Sequence, residues 1–213
     1  MKVAIFQFSL FGINTYAVYD PGTKDCAVID PGMLGQQEEK AMTDFISKNG
    51  RKVTHVINTH LHIDHAVGNN FLKRAYNVPV LAHKDDEPLG ERIQQQAYMF
   101  GISENFDGVE ISDYLSDNEI IKIGNGELKV ICVPGHSQGS VAFYDKEDRF
   151  VIVGDALFKG SIGRTDLPGG NHAQLIKSIT ERLLTLPDDT VVYPGHGPAT
   201  TIGEEKRSNP FLK

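Results

Sequence analysis

Residues 59–65 read THLHIDH, three histidines and an aspartate in seven positions. So much imidazole and carboxylate is costly to bury unless a cation compensates it. One loop cannot complete such a site, so the fold must bring further donors to it. The chain offers them at the ends of apolar runs. VTHVIN leads into His60, His62, Asp64 and His65, and LKVICV into Pro134-Gly135-His136. RFVIV leads into Gly154-Asp155, and TVVY into Pro194-Gly195-His196. Four strands would thus each end in a metal-type ligand, three of them beside a glycine, where backbone can approach closely. Sites in open sheets gather outside the carboxyl ends of strands, and side chains there are rigidly held.

A single catalytic zinc takes about three protein ligands and keeps one position open. Seven candidates, His60, His62, Asp64, His65, His136, Asp155 and His196, suit two divalent metal ions sharing a bridging carboxylate. Imidazole and carboxylate without thiolate fit Zn first, with Fe or Mn as alternatives. His60 and His62 can reach one ion while Asp64 and His65 face the other. His55, His83 and His172 lack this setting and are read as structural. Ser137 beside His136 is not read as a nucleophile, because no G-x-S-x-G surrounds it.

The rest of the chain supplies strands and helices in an order that layers. Residues 2–19 read as one strand or two with a break near Gly12, and CAVID (26–30) as another. A helix is expected over 36–48, stopped by Asn49-Gly50. KVTHVIN (52–58) and VPVLAH (78–83) read as strands flanking a helix over 68–77. Residues 84–117 are acidic and rich in Gln and Glu, with ERIQQQAYMFG as a helix ending at Gly101. This stretch reads as a helical insertion, either a wall or lid of a cleft or a surface feature. Hairpins are expected at 119–133, around Gly124-Asn125-Gly126, and at 140–154, around DKED. NHAQLIKSITERLLTL (171–186) is an amphipathic helix with Asn171 as its cap. TVVYPGHG is a last strand and turn, and the tail holds a short helix at most. An α/β (α+β) architecture of packed sheets with outer helices follows.

With 213 residues and 40% hydrophobic content, one larger domain over 1–213 is expected, with no linker dividing it. The formal charge of −7 excludes a non-specific hold on nucleic acid, which needs a basic footprint. Cys26 and Cys132 are widely separated in apolar runs and read as buried free thiols of a reducing compartment. The N-terminus alternates polar and apolar residues and reads as a strand rather than a signal peptide. No apolar run is long enough for a bilayer, so a cytoplasmic protein with no membrane partner is expected. Oligomeric state is not legible.

At THLHIDH, PGH, GD and PGHG the sequence resembles the metallo-β-lactamase superfamily, in order and spacing, over essentially the whole chain. Within it the chain looks like the short bacterial branch of the type II glyoxalases, the hydroxyacylglutathione hydrolases. GDALFKGSIGRTDLPGG (154–170), GHGPATTIGEE (195–205) and NPFL carry that closer likeness. The resemblance implies a four-layer αββα sandwich with two metals at one edge. His60, His62 and His136 would hold one ion, Asp64, His65 and His196 the other, and Asp155 would bridge them. It implies a metal-dependent thioester hydrolase acting on a small acyl-thioester such as S-D-lactoylglutathione. A water activated between the metals would be the nucleophile, and Asp64 and Asp155 would serve catalysis directly. Phe158 and Arg164 are the candidate substrate contacts. Two departures stand out. Longer type II glyoxalases carry a C-terminal glutathione-binding helical domain, and this chain ends before it. Their GxGK stretch reads Gly163-Arg164 here. Arg164 could hold a carboxylate bidentately or pair with Asp166.

Three other activities share the fold. A persulfide dioxygenase would use His60, His136 and Asp155 on one iron, but its last ligand usually sits in a PAHDY-like stretch, where this chain has Pro194-Gly195-His196-Gly197. A lactonase would use the same activated water. An RNA-processing nuclease conflicts with the acidic balance.

Overall fold

Two six-stranded sheets are packed face to face, because alternate strand positions on each are apolar on both sides. The computed structural model describes residues 1–8 and 12–213. The first sheet takes β1 (Lys2–Phe8), β2 (Ile13–Tyr19), β3 (Asp25–Ile29), β4 (Lys52–Ile57), β5 (Val80–His83) and β6 (Asp113–Leu115) in sequence order. Its first three strands pair antiparallel and its last four parallel. Helices α1 (Gln36–Lys48), α2 (Ile63–Ala66) and α3 (Asn69–Tyr76) fall within the parallel half, and α4 (Glu87–Glu91) and α5 (Ile93–Met99) precede β6.

The second sheet contains β7 (Ile120–Ile123), β8 (Gly126–Cys132), β9 (Val141–Asp145) and β10 (Phe150–Gly154). A two-stranded hairpin, β11 (Leu157–Phe158) and β12 (Ser161–Ile162), follows. Helix α6 (His172–Ser178) leads to β13 (Val191–Pro194), β14 (Thr200–Thr201) and α7 (Ile202–Ser208). The second sheet's order is β14-β13-β10-β9-β8-β7, with β10 and β13 parallel.

The period-two pattern of the strands decides the layers. On β8, Leu128 and Val130 face the first sheet's Tyr16, Ile29 and Ile57, while Ile131 turns outward to Leu175 and Ile179. Ile202 joins that outer layer. On the first sheet, Val28 and Val56 turn outward to Met42, Ile46 and Leu72 of α1 and α3. Helix, sheet, sheet and helix layers result: the αββα sandwich. Leu61 and Ile63 of the THLHIDH segment form a smaller cluster with Ile93 and Ala97 of α5.

Most expected elements lie where their patterns put them, α1 over the residues expected. Residues 9–11, inside the expected strand region 2–19, lie outside those described. The helix expected over 91–101 is divided at Arg92, because the Gly90 carbonyl accepts from Val109 N at 3.0 Å instead of the next helical turn. The helix expected over 171–186 has its Asn171 cap, whose side chain accepts from Gln174 N, but widens after Ser178 into a π-helical turn at Ile179–Leu183. Four short strands, β6, β11, β12 and β14, were not legible, and β14 follows the strand expected to be the last. Cys26 is buried and its thiol is pushed up to about 12 by burial. Cys132 departs from expectation: it is half-buried, and burial raises it to about 11. Among the described residues no helix is long and apolar enough to cross a membrane.

Candidate metal centre

The seven predicted donors come together at one edge of the sandwich, just past the ends of four strands. His60 follows β4, His136 follows β8, Asp155 follows β10 and His196 follows β13. His62, Asp64 and His65 continue from His60 into the single turn of α2. Three groups of donor atoms each lie within 4.8 Å of one another: His60, His62 and His136; His60, His65 and Asp155; and Asp64, His65 and His196.

Hydrogen bonding leaves the inward-facing nitrogens of several rings bare. Thr59 spends its hydroxyl proton on Asp30 Oδ2 at 2.6 Å, so its Oγ1 can only accept from His60 Nδ1 at 3.1 Å. The His60 proton is thereby placed on Nδ1, and Nε2 keeps a lone pair. His136 Nδ1 donates to the Arg164 carbonyl at 2.8 Å, and His65 Nδ1 to Asp30 Oδ2 at 3.0 Å. Such outer contacts fix a ligand's tautomer and orientation. Among the described residues, His60 Nε2, His65 Nε2 and Asp155 Oδ1 are buried with no hydrogen-bond partner. His65 Nε2 and Asp155 Oδ1 stand 3.4 Å apart without hydrogen-bond alignment. Buried polar atoms are rarely left so, and three converging in one cluster suit a cation. His62 Nδ1 and His136 Nε2 also face each other at 3.0 Å, a contact two ligands of one ion make naturally.

The electrostatics point the same way. Burial, then the neighbouring histidines, push His60 well below the ordinary imidazole range, and burial and His136 bring His62 to about 4. Both rings are neutral donors at pH 7. Burial disfavours charge on His65, yet Asp64, Asp155 and Asp30 outweigh it and hold the ring well above its usual range. Burial likewise opposes ionisation of Asp155, but His65, His136 and His196 hold its carboxyl well below the ordinary range. Asp64 is lowered by His65 and His196 against its burial, and His196 is raised by its 3.1 Å bond to Asp64. Three acids around His65 demand positive charge at one point, which a proton or a metal ion supplies. A metal ion at Nε2 displaces the proton.

Several residues that hold this geometry were not picked out from the sequence. Asp30, fully buried past β3 with φ 51°, accepts Thr59 N, Thr59 Oγ1 and His65 Nδ1. Asn14 and Tyr16 of β2 both donate to the Pro194 carbonyl, at 3.1 and 2.6 Å, and fix the His196 turn. Asp86, in the acidic 84–117 stretch read as a cleft wall, lid or surface insertion, is buried between the His60 and His136 loops. Of the proposed substrate contacts, Phe158 is half-buried with its ring 6.4 Å from that of His196. The exposed Arg164 guanidinium makes the bidentate pair with Asp166, both bonds 2.8 Å. Its carbonyl, rather than its charge, touches the cluster.

Gly195 shows how little room remains. A Cβ there would overlap Asp155 Oδ1 and His65 Cε1. Gly195→Ala should therefore yield a folded protein with bound zinc reduced by at least about tenfold in affinity, measured by competition with a chromophoric chelator. Wild-type affinity would mean that the two ligands can shift without loss.

The family model described as the Metallo-beta-lactamase superfamily matches residues 9–196. The hydroxyacylglutathione hydrolase GloC of Haemophilus influenzae is 35% identical over 214 residues, covering 100% of this chain and 98% of that protein. The probable metallo-hydrolase YqgX of Bacillus subtilis is 37% identical over 192 residues, 88% of this chain and 87% of that one. Among solved structures, the BLEG-1 B3 metallo-beta-lactamase is similar with TM-score 0.88 and 32% identity, over 100% of both chains. TTHA1623 in a di-iron-bound form has TM-score 0.88 and 36% identity, over 99% of this chain and 100% of that one. ETHE1 from Myxococcus xanthus has TM-score 0.80 and 28% identity, over 99% of this chain and 84% of that one.

Proposed function

The chain belongs to the metallo-beta-lactamase superfamily, and we propose that within it the protein hydrolyses acyl thioesters of the S-lactoylglutathione type. Two divalent ions, Zn foremost, would be held by His60, His62 and His136 and by Asp64, His65 and His196, with Asp155 available to either. The observation that carries it is the convergence of all seven donors on one edge, with buried donor atoms left free. The full-length likeness to GloC supports the thioester, and the di-iron form of TTHA1623 supports two ions on this fold.

When bound, the ions would acidify a water and polarise the thioester carbonyl. The chain's own residues prepare the rest. Asp30, Thr59 and the Arg164 carbonyl hold His65, His60 and His136 in the tautomers that present a bare nitrogen. Asp64 and Asp155 are ionised at neutral pH, and both are slightly open to solvent, so either can accept a proton from the attacking water. The water oxygen adds to the acyl carbon, the carbon–sulfur bond breaks, and the products are a carboxylate and a thiol. A thiolate leaves readily, so no strong acid is needed beside the sulfur.

The second reading is persulfide oxidation, favoured by the ETHE1 likeness. It would use only His60, His136 and Asp155, and leaves His62, Asp64, His65 and His196 unexplained. The test is hydrolysis of S-lactoylglutathione by protein purified with its metals, under nitrogen. Turnover without oxygen supports the proposal. Oxygen uptake with glutathione persulfide and no hydrolysis transfers the protein to the second reading, and cleavage of a chromogenic β-lactam alone would make it a lactamase like BLEG-1.

We assign Phe158 and Arg164 to the substrate rather than to the chemistry. Phe158→Ala should raise KM about tenfold with kcat within about twofold, the mark of binding energy shared by ground and transition states. Arg164→Ala should raise KM about threefold for an anionic thioester and leave an uncharged one unaffected, as a rim charge does. A fall in kcat for either variant would move that residue into the catalytic step.

A further inference from the structure

We propose that Asp86 is a positioning residue that sets how tightly the His60, His62 and His136 group takes up a metal ion. The proposal rests on the two-ion reading above. Asp86 stands in a 3-10 turn, Lys84–Asp86, directly after β5. Its neighbour Asp85 is largely exposed, yet Asp86 is 1% exposed. Buried carboxylates need full hydrogen bonding, and this one has it from two separate loops. Oδ2 accepts Leu61 N at 3.1 Å and Ser137 Oγ at 2.8 Å, and Oδ1 accepts Gly139 N at 2.7 Å.

The identities of those donors give the carboxylate its role. Leu61 separates His60 from His62, while Ser137 follows His136 directly. One side chain therefore fastens the loop bearing two of the three histidines to the loop bearing the third, across 75 positions from Leu61 to His136 in sequence. The contact it enforces is the 3.0 Å approach of His62 Nδ1 to His136 Nε2. Gln96 of α5 secures the same loop from its other side, accepting from Ile63 N at 3.0 Å and donating to the Leu61 carbonyl at 3.4 Å. The 84–102 stretch thus acts as a brace beneath this half of the site. The other half is braced separately: His65 is tied to Asp30, and its carbonyl accepts from Asn58 Nδ2 at 2.8 Å. Asp86 contacts none of Asp64, His65 or His196. Its influence should be confined to one ion.

Asp86→Asn keeps the volume but supplies one acceptor oxygen where three donors converge, so at least one of the three bonds is lost and an NH2 is set against a donor. The test places this change in two backgrounds of the full chain and titrates zinc against a chromophoric chelator. His196→Ala leaves the three-histidine group intact, and His62→Ala leaves the other. In the His196→Ala background, Asp86→Asn should weaken zinc binding by at least about tenfold; in the His62→Ala background the change should stay within threefold. Cobalt substitution should show an altered visible spectrum only in the first background. Ser137→Ala, which removes one of the three bonds, should weaken zinc less in the same background and serves if Asp86→Asn fails to fold. Leu72→Ala, a buried change away from the site, controls for lost stability. Equal zinc affinities with and without Asp86→Asn, or equal losses in both backgrounds, overturn the proposal. Failure of the His196→Ala background to bind zinc at all overturns the two-ion reading instead, and the proposal with it.

Discussion

Alanine at position 155 should lower thioester turnover by at least about a thousandfold and empty both metal positions together, since loss of even an outer partner of a ligand costs about 10–100-fold. Asp155 is the residue that faces both halves of the site. Its Oδ1 lies 3.4 Å from His65 Nε2, and its Oδ2 lies 3.7 Å from both His136 and His196 Nε2. Among the described residues no other carboxylate lies within ion-pair distance of rings from both groups. Its negative charge is kept despite burial by the surrounding imidazoles, and the same charge offsets two dications when they bind. Asp155→Asn is the informative companion. It preserves shape and one oxygen while removing the charge, so it should retain part of the zinc and little of the activity. Metal content by elemental analysis, read beside kcat/KM, checks both. Full activity in Asp155→Ala would remove this residue from the site, whereas full metal content without activity would make it a proton acceptor rather than a ligand.

The candidate donors could be picked out because they sit in short runs that follow apolar strands, and strands are the elements a period-two pattern reveals best. Their partners were not, for a reason that lies in the residues themselves. Asp30 sits in Asp30-Pro31-Gly32, which reads as a turn, and an aspartate in a turn is expected to bond its own backbone. Here its left-handed backbone turns the carboxylate inward to Thr59 and His65. Asp86 lies in Lys84-Asp85-Asp86-Glu87, a charged run whose ordinary fate is solvent. Only the 3-10 turn decides that Asp86 points into the protein while Asp85 does not. Arg164 shows the converse. Its charge drew attention to its side chain, while its backbone carbonyl is what reaches His136. Main-chain roles carry no residue identity, so no reading of side chains could have found this one.

Asp30→Asn should be the most damaging change outside the seven donors, reducing both stability and metal affinity. Three groups point protons at this carboxylate: Thr59 N at 2.7 Å, Thr59 Oγ1 at 2.6 Å and His65 Nδ1 at 3.0 Å. The Asp30 carbonyl is committed as well, to Thr15 Oγ1 at 2.6 Å and Gly32 N at 2.8 Å, so the backbone cannot turn to compensate. An amide offers one oxygen and an NH2, and the NH2 must meet at least one of the three donors head on. Leaving a buried donor unmet costs about 1–3 kcal/mol, and Asp30→Ala, which abandons all three, should cost about 3–5 kcal/mol. Metal affinity falls by a separate route. Without the carboxylate, His65 loses the partner that keeps its proton on Nδ1, and Thr59 is freed to turn its hydroxyl proton toward His60. Both rings then spend part of their population in the wrong tautomer. Zinc affinity should drop about 10–100-fold. Urea unfolding in the presence of a chelator isolates the first effect, and zinc competition on the folded variant isolates the second. If Asp30→Asn lost stability yet bound zinc within threefold of wild type, Asp30 would be a structural residue that merely lies beside the metal centre, and the tautomer argument for His60 and His65 would fall with it.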